Sequence, residues 1–209
     1  MKFARSDRAD RLTLVSMAED TPDDDAMAPL KDWTRNFLMR DNAQLGRSGN
    51  VCPFTSFGAR VDTLRFGVSQ ARPGEDKRVR GQLLDALDRF EEIPHSDQTG
   101  IYRAILIHFP RCDSFEGVAT LQRAQRSLRL AGFMRARMLG VFYPTANEPG
   151  LWNPAFRPLR APIPIIALRS LVAADAAFVL RHPLLAPAYL FNYPFAGPKE
   201  LAKVAARRS

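Results

Sequence analysis

Cys52 opens the tripeptide Cys52-Pro53-Phe54. A cysteine before proline is held in extended backbone. There its thiolate could ligate a metal or a haem iron, or act as a nucleophile; otherwise it packs as a small hydrophobe. Cys112 is the other cysteine. With no CxxC pair and no second pair of cysteines, a thioredoxin-type dithiol and a cysteine-rich zinc site are disfavoured. His108 closes an apolar run, where functional side chains often emerge from a strand. It could be an axial haem ligand or a general base, against the plainer reading of a satisfied interior histidine. His95 falls in a polar loop and reads as solvated. His182 precedes Pro183, where a cation can meet the last carbonyls of a helix. No HExxH spacing supports a hydrolytic zinc site.

Residues 149–169, PGLWNPAFRPLRAPIPIIALR, carry a second set. Pro149, Pro154, Pro158, Pro162 and Pro164 remove backbone donors, so the stretch before Ile165 is a loop rather than helix or central sheet. A stiff loop can hold guanidinium groups at fixed positions. Arg157, Arg160 and Arg169 suit a carboxylate, a phosphate or haem propionates, or else ion pairs that pin the loop to Glu148 or Asp175. Trp152, Asn153 and Phe156 could wall a flat substrate or anchor the loop in the core. Arg123, Arg126 and Arg129 follow one another at i, i+3, i+6 and read as a solvated basic face. No glycine-rich phosphate loop and no GxSxG elbow is present.

The elements that must position these groups follow from periodicity. Residues 26–45 read as a helix with Leu30, Trp33, Phe37 and Leu38 on one face. Residues 62–69 alternate as a strand with Leu64, Phe66 and Val68 on one side. Residues 75–93 form an amphipathic helix with Val79, Leu83, Leu84, Leu87 and Phe90 inward. Residues 101–109, IYRAILIHF, suit a central strand. Asp113 or Ser114 can cap a long helix to about Ala131. Residues 138–143 and 165–169 are two further strands joined by the proline loop, and helices follow at 173–181 and 198–208. The order predicts an α+β (α/β-like) fold. It is a single domain with a mixed four-stranded sheet, helices packed against it and some parallel pairs. Residues 1–25 are polar and read as a flexible or loosely docked arm, leaving 26–209 as the folded domain.

The 209-residue chain has 46% hydrophobic content, enough for one sizeable core. Its net charge is +8, but four basic and seven acidic side chains in residues 1–25 leave +11 on the remainder. Such a body attracts anionic ligands. The arginines lack the lysine runs and aromatic pattern of common RNA binders, which argues against nucleic acid as partner. No apolar run of about 18 residues predicts a membrane span, and the charged N-terminus does not read as a secretion signal. Two cysteines form no disulfide framework, so a reduced, cytoplasmic setting is expected.

The segments NVCPF and GVFYP…GLWNPAFRPLRAPIPIIALR resemble a bacterial family of unknown function. Its members share a Cys-Pro-Phe near the first strand and an N-P-x-F-R-P-L-R-x-P-x-P run before the last one. They tend to occur among genes for specialised metabolites. The resemblance spans about residues 50–178. A more distant resemblance, through the cysteine-proline/phenylalanine motif, is to the YqcI/YcgG-like proteins, some of which are haem-dependent N-oxygenases acting on amino or guanidino groups. Where relatives often show a histidine, this chain has Tyr143.

The resemblance implies a cytoplasmic haem-dependent oxygenase, with haem b, that N-hydroxylates an amino-acid-like substrate in a biosynthetic pathway. Cys52, His108 or Tyr143 would ligate the iron, and Arg157 and Arg160 would hold propionates or a substrate carboxylate. Trp152, Asn153, Phe156 and Arg169 would shape the substrate pocket. The alternative is a non-catalytic protein that binds a small molecule or acidic partner through its basic Pro/Arg loop. A cofactor-free enzyme with Cys52 as nucleophile, and a homodimer, remain open.

Overall fold

The structure, a computed structural model, describes residues 11–19 and 24–206. Four strands build one open mixed sheet: β1 (Leu64–Val68), β2 (Ala104–His108), β3 (Arg137–Phe142) and β4 (Ile165–Ser170), in the order β1-β2-β4-β3. β1 and β2 are parallel, and β4 runs antiparallel to both β2 and β3. The parallel pair needs a crossover, which α3 (Asp76–Arg89) supplies. α4 (Phe115–Met134) leads from β2 to β3. The proline loop then carries the chain back to β4, which inserts between β2 and β3. β3 is therefore an edge strand.

Alternation in the strands feeds two apolar layers. Ile105, Ile107, Leu139, Val141, Ile166 and Leu168 face α3 and α4, where they meet Val79, Leu83, Leu87, Leu121 and Leu128. Leu64, Phe66, Leu106 and Ile165 face α1 (Asp24–Trp33) on the other side, against Met27, Leu30 and Trp33. Ser114 caps α4, its hydroxyl accepting from the Gly117 amide at 3.1 Å. Gly132 lets α4 settle on β3, since a Cβ there would lie 2.5 Å from Leu139 Cδ1. α5 (Ala176–Arg181), α6 (Ala186–Asn192) and α7 (Ala196–Ala206) pack round Tyr189 and Phe133 as a third cluster. Among the described residues this makes seven α-helices and one four-stranded sheet, the α+β class expected from the order of elements. No helix among them is long and apolar enough to cross a membrane.

Three local expectations are corrected. The first helix does not run unbroken to Leu45: the Thr34 hydroxyl donates to the Leu30 carbonyl at 2.8 Å, and the chain widens into a π turn over Thr34–Leu38. The central strand begins at Ala104 rather than Ile101, because Gly100–Tyr102 forms a 3-10 turn. Residues 11–19, read as part of a loose arm, pack on the sheet. Leu12 and Val15 are buried in the two layers, and Val15 bridges Phe66 through paired backbone bonds of 2.9 and 2.8 Å. Their apolar run outweighs the polarity of the segment around it. Residues 1–10 and 20–23, also read as arm, and 207–208, the end of the last predicted helix, lie outside the described residues.

Candidate functional site

Parity along β3 decides which of its backbone groups face the open edge. The Leu171 amide donates to the Ala136 carbonyl at 2.8 Å, so even-numbered residues turn toward β4. Odd-numbered residues therefore turn outward. The Leu139 carbonyl accepts from Gln125 Nε2 at 2.9 Å, and the Tyr143 amide donates to the Leu159 carbonyl at 3.2 Å. The proline loop thus straps one end of the edge through a short parallel bridge between Tyr143 and Arg160, and Gln125 covers the other.

Over that edge lies a cleft of about 640 Å³, bounded by α4, β3, the loop and α5. Leu151, Pro158, Met138 and Phe178 supply apolar walls, and Arg126, Arg129, Arg169, Arg181 and His182 supply positive or titratable groups. The carboxylates are Glu148 and Asp175. Asp175 is taken by Arg169, with Nη1 donating to Oδ2 at 2.9 Å and Nη2 to Oδ1 at 2.5 Å. It also accepts from the Val172 amide. Burial works against the Arg169 charge, and the Asp175 carboxylate outweighs it, so the guanidinium titrates above its ordinary value. The remaining cations outnumber Glu148, which makes the cleft basic.

Among them Arg129 carries a buried donor without a partner. Its Nη2 donates to Gln125 Oε1 at 3.2 Å, while its Nε is buried without a partner. Nη1 is 3.3 Å from both ring nitrogens of His182. Equal distances to two atoms of a five-membered ring place Nη1 above the ring face, since an in-plane position would collide with the carbon between them. The guanidinium carbon also lies 5.4 Å from the Phe178 centroid, and the Phe178 and His182 rings are 4.6 Å apart. Burial, and then the charges of Arg129 and Arg181, lower the His182 pKa and so favour its neutral ring. Burial likewise pulls the Arg129 pKa down, helped by Arg126.

The expected site residues do not all meet here. Tyr143 and Arg169 line the cleft. The Tyr143 hydroxyl accepts from Gln122 Nε2 at 3.1 Å; burial raises its pKa, Glu148 adds to the rise and Gln122 offsets part of it. Arg157 and Arg160 are spent on the loop itself. Arg157 Nε donates to Asn147 Oδ1 at 2.8 Å, and Arg160 Nε donates to the Ala146 carbonyl at 2.9 Å. Asn153 straps the loop to the preceding domain segment, its Nδ2 donating to the Gln44 carbonyl at 2.7 Å and its Oδ1 accepting from the Ala155 amide at 2.9 Å. Phe156 is buried and stacks on Phe37 with centroids 6.4 Å apart, while Trp152 is about half exposed, at 48%. The loop arginines and aromatics hold the strap rather than line the cleft.

Neither Cys52 nor His108 lines the cleft, although Cys52 is near enough to Arg169 to act on its charge, and the Arg169 guanidinium carbon lies 5.9 Å from the centroid of the neighbouring Phe54 ring. His108 is buried at the end of β2, with Nδ1 donating to the Ala26 carbonyl at 2.8 Å, and burial lowers its pKa. The Cys52 amide donates to the Leu38 carbonyl at 2.9 Å, and its half-buried side chain packs in the layer that contains α1. Ala26 and Leu38 are twelve residues apart along α1 and its π turn, about 18 Å at a helical rise. One iron could not take both side chains. Among the described residues, no group of three or more His, Cys, Asp or Glu is placed to hold a metal ion.

Arg129 and His182 went unrecognised as site residues in the sequence, where Arg129 reads as one of three solvated arginines and His182 as a helix cap. Arg123 departs from that face too, bridging Asp76 at 2.7 Å and Glu116 at 2.9 Å. No spacing signal links residues 53 positions apart that only meet when α5 folds onto α4.

A family model described as "Domain of unknown function (DUF6875)" matches residues 27–204, and the chain belongs to that family. No curated protein and no solved structure matches the chain.

Proposed function

We propose that this member of the DUF6875 family binds a small anionic molecule, of the carboxylate or phosphate class, in the basic cleft over β3. The observation that carries the reading is Arg129, a guanidinium whose buried Nε lacks a partner beside a cleft with more arginines than carboxylates. A buried donor without a partner is costly, and turning the guanidinium toward an anion in the cleft would relieve it. Arg126 and Arg181 are exposed at the rim and have no carboxylate partner among the described residues, so they are available to the same ligand. The cytoplasm is the proposed setting, in keeping with two unpaired thiols.

The test is calorimetric titration with glutarate and with inorganic phosphate. Saturable binding of at least one is expected, weakened about tenfold or more by Arg129→Gln, since a hydrogen bond to a charged group contributes roughly 1.5–3 kcal/mol. No binding of either probe, or equal affinity in the variant, overturns the reading.

A second reading keeps the haem-dependent N-oxygenase implied by the YqcI/YcgG-like resemblance, and moves it to this cleft. Its support is that Tyr143 and Arg169, two residues of the expected site, line the cleft among apolar walls. Tyr143 would face the iron, and Arg126 and Arg181 would meet the propionates. Bound haem b would supply the oxygen chemistry for N-hydroxylation of an amino-acid-like substrate. The buried, raised pKa of Tyr143 works against a phenolate ligand. Haemin titration separates the readings. A saturable Soret shift that Tyr143→Phe abolishes supports haem, and an unshifted spectrum in the wild-type protein ends it.

A further inference from the structure

We infer that the ligand of this cleft is peptide-like: a short acidic peptide, or N-acylated acidic amino acid, that adds to the open edge of β3 at Val141. The inference rests on the anion-binding reading and names the ligand class. β3 is an edge strand, and its odd-numbered residues turn their backbone groups away from β4. Of these, the Leu139 carbonyl is taken by Gln125, and both backbone groups of Tyr143 are taken by the loop, through the Leu159 carbonyl and the Ala161 amide. The Val141 amide and carbonyl lie between these two caps, and Leu139, Gly140 and Val141 all line the cleft.

An exposed strand edge is a template for a further strand. Here the template is one residue pair wide. Val141 can donate to and accept from a single ligand residue, as in strand addition by peptides. The caps at Gln125 and Leu159 stop a long strand from docking, which selects a short ligand over a protein edge. Charge fixes the kind of side chain: Arg126, Arg129 and Arg181 outnumber Glu148 once Asp175 is paired with Arg169. A peptide carrying carboxylates would satisfy the edge and the arginines together. A phosphate ion or a plain dicarboxylate would satisfy only the arginines.

The test uses the full chain and three probes: N-acetyl-Glu-Glu, the same compound with both amide nitrogens methylated, and glutarate. Affinities are measured by calorimetry, and exchange of the Val141 amide hydrogen is followed by NMR. N-acetyl-Glu-Glu is expected to bind at least tenfold more tightly than its methylated analogue, and at saturation to slow Val141 exchange at least tenfold. Glutarate is expected to bind without that protection. If N-acetyl-Glu-Glu binds no better than the methylated compound, or leaves Val141 exchange unchanged, the edge-addition inference fails while anion binding stands. If none of the probes binds, both fail.

Discussion

Arg129 lies on the face of the His182 ring, its Nη1 3.3 Å from Nδ1 and from Nε2. The contact ties the middle of α4 to the end of α5 across 53 positions of sequence and sets a permanent charge against a titratable ring. Arg129→Gln is expected to raise the His182 pKa toward its ordinary value, because one of the charges that disfavours imidazolium is gone. Titration of the ring C–H protons by NMR reads the shift. A His182 that titrates as in wild type would mean that the arginine does not act on it.

The same direction governs stability against pH. Burial holds His108 and His182 toward the neutral form in the folded protein, while the unfolded chain takes up the proton near the ordinary value of 6.5. The unfolded state then binds more protons as pH falls, so stability is full above about 6.5, declines below it, and levels off once pH passes the folded-state values. Urea midpoints between pH 8 and 5 should fall on acidification. His108→Gln should flatten part of that slope; an unaltered slope would remove His108 from the account.

The Arg169–Asp175 pair closes the floor of the cleft. Asp175 is about nine-tenths buried and Arg169 about 30% exposed at its side chain. Asp175→Ala would strand a partly buried guanidinium and free the Val172 amide that Asp175 Oδ2 accepts. A loss of about 1–3 kcal/mol is expected, below the value for a fully buried pair because solvent reaches the arginine. Chemical denaturation measures it, and a loss under about 0.5 kcal/mol would show that solvent already carries the pair.

At the start of α4, Gly117 lies against the Cys112 backbone. A Cβ at residue 117 would sit 2.4 Å from Cys112 Cα, a contact with backbone that no rotamer can relieve. Gly117→Ala should therefore destabilise by about 1–3 kcal/mol, although alanine favours helices. Cys112 itself is buried, with its thiol pKa pushed up to about 11, so it should resist alkylation in native protein. Rapid modification of Cys112 before unfolding, or a Gly117→Ala protein as stable as wild type, would contradict this packing.

Asn153→Ala removes the bond to the Gln44 carbonyl and the turn at Ala155. The strap should loosen without unfolding the sheet, since Phe156 stays seated against Phe37. Faster amide exchange in residues 149–160 is expected, with the global unfolding midpoint nearly unchanged. Loss of the global midpoint instead would make the loop part of the cooperative core.

Much of the architecture was legible because it rests on local pattern. Leu64 and Phe66 alternate onto one face, Val79, Leu83 and Leu87 recur at helical spacing, and Ser114 announces the start of α4. The prolines before Ile165 correctly exclude regular structure there. The π turn after Trp33 keeps the apolar residues near helical spacing and is accompanied by a hydroxyl bond from Thr34 back to Leu30, neither of which shows in periodicity.

The candidate site was mostly hidden. Composition alone shows an excess of positive charge and a loop able to hold guanidinium groups, but it does not say where those groups point. Arg157 and Arg160 turn back onto carbonyl and amide oxygens of their own loop, because an irregular chain leaves many acceptors unpaired and arginine is the residue with most donors to give. Arg129 and His182 converge only after α5 docks on α4, and β3 becomes an edge only because β4 inserts between it and β2. By itself the sequence determined which segments are strand, helix or loop and the sign of the charge they carry. Strand order and helix docking, long-range contacts with no local signature, decided which arginines share a cleft and which backbone groups stay open beside them.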